Sequence, residues 1–245
     1  MTNKYMYFIA NWKMFGVLNS VNSLNNVIKF FKNFKKKKLV KIIYCPPITL
    51  INPMKRKFKS SKIEVGAQYT HENENYGPFT GAVNSKMLKD VGAKYVIIGH
   101  SENRQLGETN KLVNLKIKSA LKIGLKVIFC VGETLQEKKK KVTKRVLNKQ
   151  IKMGLNKIRQ KNDILIAYEP VWSIGTGIIP KQNELIKTID FIKKIEKNLK
   201  VLYGGSVNSK NIQELKFVNN IDGFLIGGAS QVSKKFIDII KKTYN

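Results

Sequence analysis

Short apolar runs rich in β-branched and aromatic residues recur along the whole chain. Each run is four to six residues long, which is the usual length of a buried strand and too short for a helix. The eight runs are Met6–Ala10, Lys41–Cys45, Ile63–Ala67, Tyr95–Ile98, Lys126–Val131, Ile164–Tyr168, Lys200–Tyr203 and Gly223–Ile226. The pattern therefore predicts eight strands.

The segments between these runs carry apolar residues at the spacing of a helix. One set has steps of three and four: Val21, Leu24, Ile28 and Phe31. A second set comprises Leu185, Ile189, Ile192, Ile195 and Leu199. Pro180 comes just before the second set, and the fixed φ of proline suits the start of a helix. Strands and helices are therefore predicted to alternate.

Eight strands alternating with helices over 245 residues fit either a closed (β/α)8 barrel or an open, doubly wound sheet. Polar or glycine residues follow nearly every predicted strand: Asn11 and Lys13, Pro46, Gln68, His100, Glu133, Glu169, Gly204 and Gly205, and Gly227 and Gly228. An open sheet concentrates such residues at one switch point, whereas a barrel gathers all strand ends around one mouth. We therefore predict a closed (β/α)8 barrel of the α/β class. Because no linker divides the chain, residues 1–245 are predicted to form a single domain.

The net charge is unusually basic, with 46 Lys plus Arg against 16 Asp plus Glu, or +30. Such a charge attracts nucleic acids. The lysines, however, recur along almost every segment, as in 35–38 and 138–141, and alternate with apolar residues at helical spacing. No motif of a nucleic-acid-binding module is present. We interpret the lysines as solvated outer helix faces and predict no specific nucleic-acid partner.

The two cysteines, Cys45 and Cys130, lie far apart and have no metal-ligand spacing, so we interpret them as small, half-buried hydrophobic residues in a reducing compartment. The N-terminal apolar run of six residues, Tyr5 to Ala10, is too short for a signal peptide. Every apolar run is also far below the roughly 18 residues that span a bilayer. We expect a cytoplasmic protein with no membrane partner.

Two predicted strands deliver charged or titratable side chains to the mouth of the barrel. The sequence IANWKMFG places Asn11 and Lys13 directly after the first strand, where a fixed ammonium suits an anionic substrate. The sequence YVIIGHSENR places His100 after the fourth strand, with Glu102 two residues later. A lysine on a loop or a lone histidine often has no catalytic role, but the position of both at strand ends favours one.

The segment ILIAYEPVWSIGTG combines a buried acid with a loop of small residues. A buried strand delivers Glu169 to the mouth, where a desolvated carboxylate can act as a base near neutral pH. Pro170 to Trp172 follow as a stiff hinge, and Ser173 to Gly177 form a tip of small residues. An exposed tryptophan beside a buried acid indicates a lid that closes over substrate and excludes water.

Paired glycines close the last two strands, in YGGSV and LIGGAS. A pair of glycines is often only a turn. In a barrel, however, the loops after the seventh and eighth strands commonly bind phosphate, because glycine lets backbone N–H groups approach the oxygens. Two such pairs in successive units therefore predict a phosphate site.

The motifs NWKM, CPP, GHSE, CVGE, AYEPVWSIGTG, YGGSV and DGFLIGGAS resemble those of the triosephosphate isomerase family, in the same order and along nearly the whole chain. The lid sequence is the most specific of them. The resemblance implies a TIM barrel that interconverts dihydroxyacetone phosphate and D-glyceraldehyde 3-phosphate in glycolysis and gluconeogenesis. It also implies a homodimer that needs no cofactor and no metal.

The resemblance further implies a role for each matching residue, following the known mechanism of that family. Glu169 is the base, His100 polarises the carbonyl, and Lys13 and Asn11 stabilise the enediolate. The residues that match phosphate-binding positions are Gly175, Ser206, Gly227 and Gly228. Those that match supporting positions are Tyr203 and Ser206, which hold the closed lid, Glu102, which supports Lys13, and Thr80, which reaches into the active site of the partner subunit.

The sequence departs from the family pattern at three places. Ala82 and Asn103 stand where the family has a Glu and an Arg that form an ion pair across the dimer interface, and the stretch before Glu108 is one residue short. Tyr69 stands in place of an Asn, in a loop that is one residue longer. Losing both charges of a pair is milder than losing one, so the dimer contacts are expected to change while the catalytic set stays intact.

Two alternatives of other classes stay open at this point. Another barrel enzyme for a small sugar phosphate would keep the glycine loops but has no reason to keep the lid with Glu169 and His100. A basic protein that uses the barrel as a scaffold would bind polyanions with a steep salt dependence and turn over nothing.

Overall fold

The chain is described by a computed structural model over residues 3–245; Met1 and Thr2, the first residues of the predicted domain, lie outside that range. The strands are β1 (Met6–Asn11), β2 (Val40–Cys45), β3 (Glu64–Ala67), β4 (Tyr95–Ile98), β5 (Lys126–Val131), β6 (Ile164–Tyr168), β7 (Lys200–Tyr203) and β8 (Gly223–Ile226). Five have the predicted bounds, and the other three differ by one residue at one end. The eight predicted strands are therefore confirmed.

The sheet closes on itself. Neighbouring strands pair in parallel in chain order, and β8 pairs with β1 in a register that joins Tyr7 to Gly223 and Ala10 to Ile226. The pairing of β8 with β1 leaves no edge strand, whereas an open sheet has two. The predicted closed (β/α)8 barrel is confirmed, and the carboxyl ends of all eight strands meet at one mouth.

Helices and short 3-10 turns fill the connections. The helices are α1 (Asn25–Asn33), α2 (Ile51–Lys57), α3 (Ser85–Asp90), α4 (Ser101–Gln105), α5 (Asn110–Ile123), α6 (Leu135–Lys139), α7 (Thr143–Gly154), α8 (Gln182–Ile195), α9 (Ile212–Leu215) and α10 (Ser233–Tyr244). The 3-10 turns are Leu18–Leu24, Lys37–Leu39, Ile48–Leu50, Val171–Ser173 and Gly228–Gln231.

The helix predicted over residues 21–31 differs in its first half. Its beginning is a 3-10 turn, and only α1 is α-helical. The turn is rich in Asn and Ser, whose side chains bond locally: Ser20 Oγ accepts the N–H of Val17, and Ser23 Oγ donates to the carbonyl of Ser20. Such bonds compete with the α-helical pattern and favour a tighter turn.

Both faces of the barrel wall are buried. One apolar cluster inside the barrel draws its buried members from strands alone, among them Ile9, Ile97, Ile128 and Leu225. A larger cluster lies between the strands and the surrounding helices. Cys45 and Cys130 are free thiols in the inner cluster, and burial raises the pKa of both. Both pack as small hydrophobic residues, as predicted, but the expectation that they are half-buried is wrong, because both are fully buried.

No helix within residues 3–245 is both long enough and apolar enough to cross a bilayer.

Candidate active site

A cavity of about 320 Å³ lies at the carboxyl ends of the strands. It is lined by residues from the loops after β1, β6, β7 and β8. Those lining residues include Asn11, Lys13, Glu169, Gly175, Gly177, Gly204, Ser206, Gly227 and Gly228. Most of the residues predicted for catalysis and phosphate binding are therefore brought together around one space.

The loop after β1 holds Lys13 in a defined position. The side chain of buried Asn11 accepts the backbone N–H of Lys13, which has a left-handed φ of +56°. Glu102 Oε1 lies 2.5 Å from Lys13 Nζ and fixes the ammonium at the cavity. A left-handed conformation is costly for a residue with a Cβ and persists only where the surroundings enforce it. Here the bonds to Asn11 and Glu102 supply that constraint.

His100 caps the first turn of α4. Its Nδ1 accepts the backbone N–H of Glu102 at 3.3 Å, which directs Nε2 the other way, toward the interior of the site. The side chain is almost wholly buried. The loop geometry thus presents one ring nitrogen to Glu169 and keeps the other engaged with the backbone.

Glu169 leaves β6 in a tightly packed position and is 4% exposed. Its N–H donates to the carbonyl of Val131. Two glycines leave the space that it occupies: a Cβ on Gly132 would lie 1.9 Å from the Glu169 carbonyl oxygen, and a Cβ on Gly204 would lie 2.5 Å from Glu169 Cγ. A larger residue at position 132 would displace the backbone of Glu169, and one at position 204 would displace its side chain.

His100 and Glu169 face each other, with 3.6 Å between Nε2 and Oε1. Both side chains are buried. Within residues 3–245, neither His100 Nε2 nor Glu169 Oε2 has a hydrogen-bond partner. Buried polar atoms are normally bonded, so two such atoms beside a cavity are typical of a site that completes its bonds with a substrate.

The lid after β6 is held down by hydroxyl groups from the end of β7 and from the loop that follows it. Ser206 Oγ accepts the N–H of Gly177 at 3.1 Å and donates to the carbonyl of Ser173. The hydroxyls of Ser173 and Tyr203 are 3.1 Å apart. Gly175 lies at the exposed tip, with a φ of +72°. Ser206 and Tyr203 are thus in contact with the lid that the sequence predicts.

The expectation of an exposed Trp172 is wrong. The indole is half-buried because its N–H donates to Glu133 Oε1 at 2.9 Å and Lys138 Nζ lies 3.6 Å from the ring centroid. Tyr168 also donates its hydroxyl to Glu133. Glu133 therefore anchors the first residues of the lid, a role that the sequence alone does not reveal.

Two further residues hold the backbone after β1 in place, although neither was predicted as a site residue. Gln68 donates from Nε2 to the carbonyls of Lys13 and Cys45, and Gln231 donates to the carbonyl of Trp12. Gln68 carries one signal in the sequence, its place directly after the third strand. Gln231 carries none, because its partner is 219 residues away.

Thr80 lies on an exposed loop between β3 and α3, outside the lining of the cavity. A single chain does not bring it to the site. Across residues 3–245, no group of three or more His, Cys, Asp or Glu side chains is placed to hold a metal ion.

The whole length of the barrel resembles known proteins. A family model described as triosephosphate isomerase matches residues 6–243. The chain belongs to the triosephosphate isomerase family. A triosephosphate isomerase of Carboxydothermus hydrogenoformans is 43% identical, over 82% of this chain and 85% of that protein. One of Dictyoglomus thermophilum is 40% identical, over 95% of this chain and 97% of that protein.

A solved triosephosphate isomerase has the same fold as this chain. The crystal structure of the Bartonella henselae protein superposes with a TM-score of 0.89 at 32% identity, covering 98% of this chain and 100% of that one. The similarity to the triosephosphate isomerase family therefore extends over the complete barrel and includes every loop that lines the cavity.

Proposed function

We propose that this member of the triosephosphate isomerase family interconverts dihydroxyacetone phosphate and D-glyceraldehyde 3-phosphate, with Glu169 as the base that moves a proton between the two carbons. The observation that carries the proposal is the approach of two buried side chains, with His100 Nε2 3.6 Å from Glu169 Oε1. Among the described residues, neither Nε2 nor the other carboxylate oxygen, Oε2, has a hydrogen-bond partner. A base on one side and an electrophile on the other are what a proton shift next to a carbonyl requires.

His100 supplies the electrophile. Because its Nδ1 accepts a hydrogen bond from the backbone N–H of Glu102, Nε2 is the ring nitrogen that is placed to donate to the substrate. Removing a proton beside a carbonyl builds negative charge on the oxygen. Donors already fixed around that oxygen stabilise the charge without reorganising. The Nε2–H of His100, the ammonium of Lys13 and the amide of Asn11 serve as these donors.

The phosphate of the substrate binds in the same cavity. Gly227, Gly228, Ser206 and Gly175 of the lid are among its lining residues. Glycine leaves the backbone N–H groups open to phosphate oxygens, and the lid covers them. Closing the lid also excludes water from the enediolate, which would otherwise eliminate its phosphate.

The active form is proposed to be a homodimer. Large apolar side chains are exposed on loops beside the mouth: Met14 is 100% exposed and Leu106 is 87% exposed. Exposed apolar surface of this kind is typical of an interface. Thr80, which has no contact with the cavity of its own chain, would then reach that of the partner. Sedimentation equilibrium gives the mass that tests this, and a monomer at micromolar concentration contradicts it.

The chain is proposed to act as one catalytic domain in the cytoplasm, where the triose phosphates of glycolysis are turned over. The mechanism needs no cofactor, since a single base can remove the proton from one carbon and return it to the other.

A coupled assay that starts from glyceraldehyde 3-phosphate tests the function directly. We expect turnover by the unmodified chain and a fall in kcat of about 1,000-fold or more for Glu169→Gln, since positioned acid–base catalysis contributes roughly 100- to 10,000-fold. The melting temperature of the variant should be near that of the unmodified protein. Near-normal turnover by Glu169→Gln would exclude this carboxylate as the base. Absence of turnover by both proteins, with salt-dependent binding of polyanions, would instead favour a scaffold role.

A further inference from the structure

Gly99, the residue before His100, is held on both sides by charged side chains. Glu108 Oε2 accepts the N–H of Gly99 at 2.9 Å, and Arg104 Nε donates to the Gly99 carbonyl at 2.7 Å. Gly99 has a φ of +77°. Because Gly99 is bonded directly to His100, the carboxylate of Glu108 helps to fix the backbone position from which the His100 side chain extends.

The carboxylate of Glu108 is in turn held by Lys116 of α5. Lys116 Nζ lies 2.6 Å from Glu108 Oε1, and Lys116 is 1% exposed. Both members of the pair are buried, so neither is solvated by bulk water. The orientation of the carboxylate therefore depends on what else surrounds the ammonium.

The ring of Tyr69 lies against the ammonium of Lys116. The Tyr69 ring centroid lies 3.8 Å from Lys116 Nζ, on the loop that follows β3. The ring face carries negative electrostatic potential and attracts a cation, most strongly where the cation is desolvated. One side of this ring remains in contact with solvent, since Tyr69 is 44% exposed. The aromatic residue thus closes the surface over the buried ammonium, at the position where the family has an amide.

We propose that Tyr69 is a positioning residue for His100. It holds Lys116 against Glu108, Glu108 holds the N–H of Gly99, and Gly99 fixes the start of the segment that presents His100 Nε2 to the substrate. The proposal rests on the function proposed above for His100. Electrophilic catalysis is sensitive to small errors in placement, so loosening this series of contacts should lower kcat more than it weakens substrate binding.

The two histidines of the chain make a direct test possible. Protein labelled with ¹⁵N-histidine gives ring signals from His71 and His100 alone, and His71→Gln assigns them. The variants are Tyr69→Leu, which removes the ring, and Tyr69→Phe, which keeps it. We expect the His100 signals to shift in Tyr69→Leu and to stay at the original position in Tyr69→Phe.

The values of kcat and KM for the same variants provide a second test. For Tyr69→Leu we expect kcat to fall by about three- to tenfold with KM changed by less than about twofold, as suits a lost cation–π contact at a positioning residue. Tyr69→Phe should keep at least about half of the original kcat, since the ring face is retained. All variants are assayed at protein concentrations at which sedimentation shows the same oligomer as the unmodified chain.

Several results would overturn the proposal: unchanged His100 signals in Tyr69→Leu, equal effects of Leu and Phe, or a loss of kcat that disappears when the oligomer is restored. If the unmodified chain does not turn over triose phosphates, the proposed function fails. The His100 signals then still decide the positioning role by themselves.

Discussion

Glu133 is a buried carboxylate that contacts the first residues of the lid. It is 1% exposed and accepts hydrogen bonds from the Tyr168 hydroxyl and the Trp172 indole. Burial raises its pKa, and the hydrogen bonds from Trp172 and Tyr168 only partly oppose this shift. The residue that anchors the lid hinge therefore has a proton equilibrium that differs between the folded and the unfolded chain.

Replacing this side chain by its neutral analogue should change how stability depends on pH. A folded-state pKa above the ordinary value of about 4.3 means that the folded protein binds the proton more tightly than the unfolded chain. The resulting stabilisation is complete below the unfolded pKa and is lost as pH rises through the folded pKa. A glutamine has no such dependence. We therefore expect Glu133→Gln to gain stability relative to the unmodified protein as pH rises through this window.

Urea unfolding of both proteins at several pH values between about 4 and 8 measures the effect, as the difference between their free energies of unfolding. The exposed Glu214 of α9 offers the control, because its side chain lacks the burial that raises the pKa of Glu133. Parallel curves for Glu133→Gln and the unmodified protein would contradict the raised pKa.

At the scale of an element, the lid depends on contacts from the loop after β7. The Ser206 hydroxyl bonds both to the N–H of Gly177 and to the carbonyl of Ser173. Each hydrogen bond contributes about 1 kcal/mol, so Ser206→Ala should favour the open lid by roughly tenfold or more. We expect kcat to fall by a similar factor, with more inorganic phosphate released per turnover as the uncovered enediolate eliminates.

Parallel assays of isomerisation and of released phosphate measure this ratio. Ser209→Ala, in the same loop, is the matched control, because Ser209 bonds to Lys242 through its backbone carbonyl. A Ser206→Ala variant with the original ratio of phosphate to product would show that this hydroxyl does not keep the lid closed.

The elements differ in how far the sequence could predict them. Strands such as β6 were predictable because burial on both faces gives an unbroken apolar run. Because the ends of the strands were predictable, the residues that follow them, such as Lys13, His100 and Glu169, could also be placed at the mouth. Side chains that act across the fold could not: Gln231 and Glu133 find their partners only through folding. The 3-10 turn Leu18–Leu24 was missed because local Asn and Ser bonds override the apolar spacing.

At the scale of the whole molecule, the excess of basic residues has a kinetic consequence. The chain carries a net charge of +30, and its cavity is lined by Lys13 as well as Glu169. Triose phosphates are dianions near neutral pH, so the field attracts them from a distance and raises their rate of capture. Salt shortens the range of this field from about 30 Å at 0.01 M to about 8 Å at 0.15 M.

We therefore expect kcat/KM for glyceraldehyde 3-phosphate to fall as ionic strength rises across this range, while kcat stays nearly constant. The test applies where association limits the rate, which a fall in kcat/KM on adding sucrose as a viscogen establishes. Glyceraldehyde without its phosphate is the control, because an uncharged triose is not steered and its kcat/KM should vary little with salt. Equal salt dependence for both substrates would assign the effect to the protein itself, and no dependence for either would rule out steering by the basic surface.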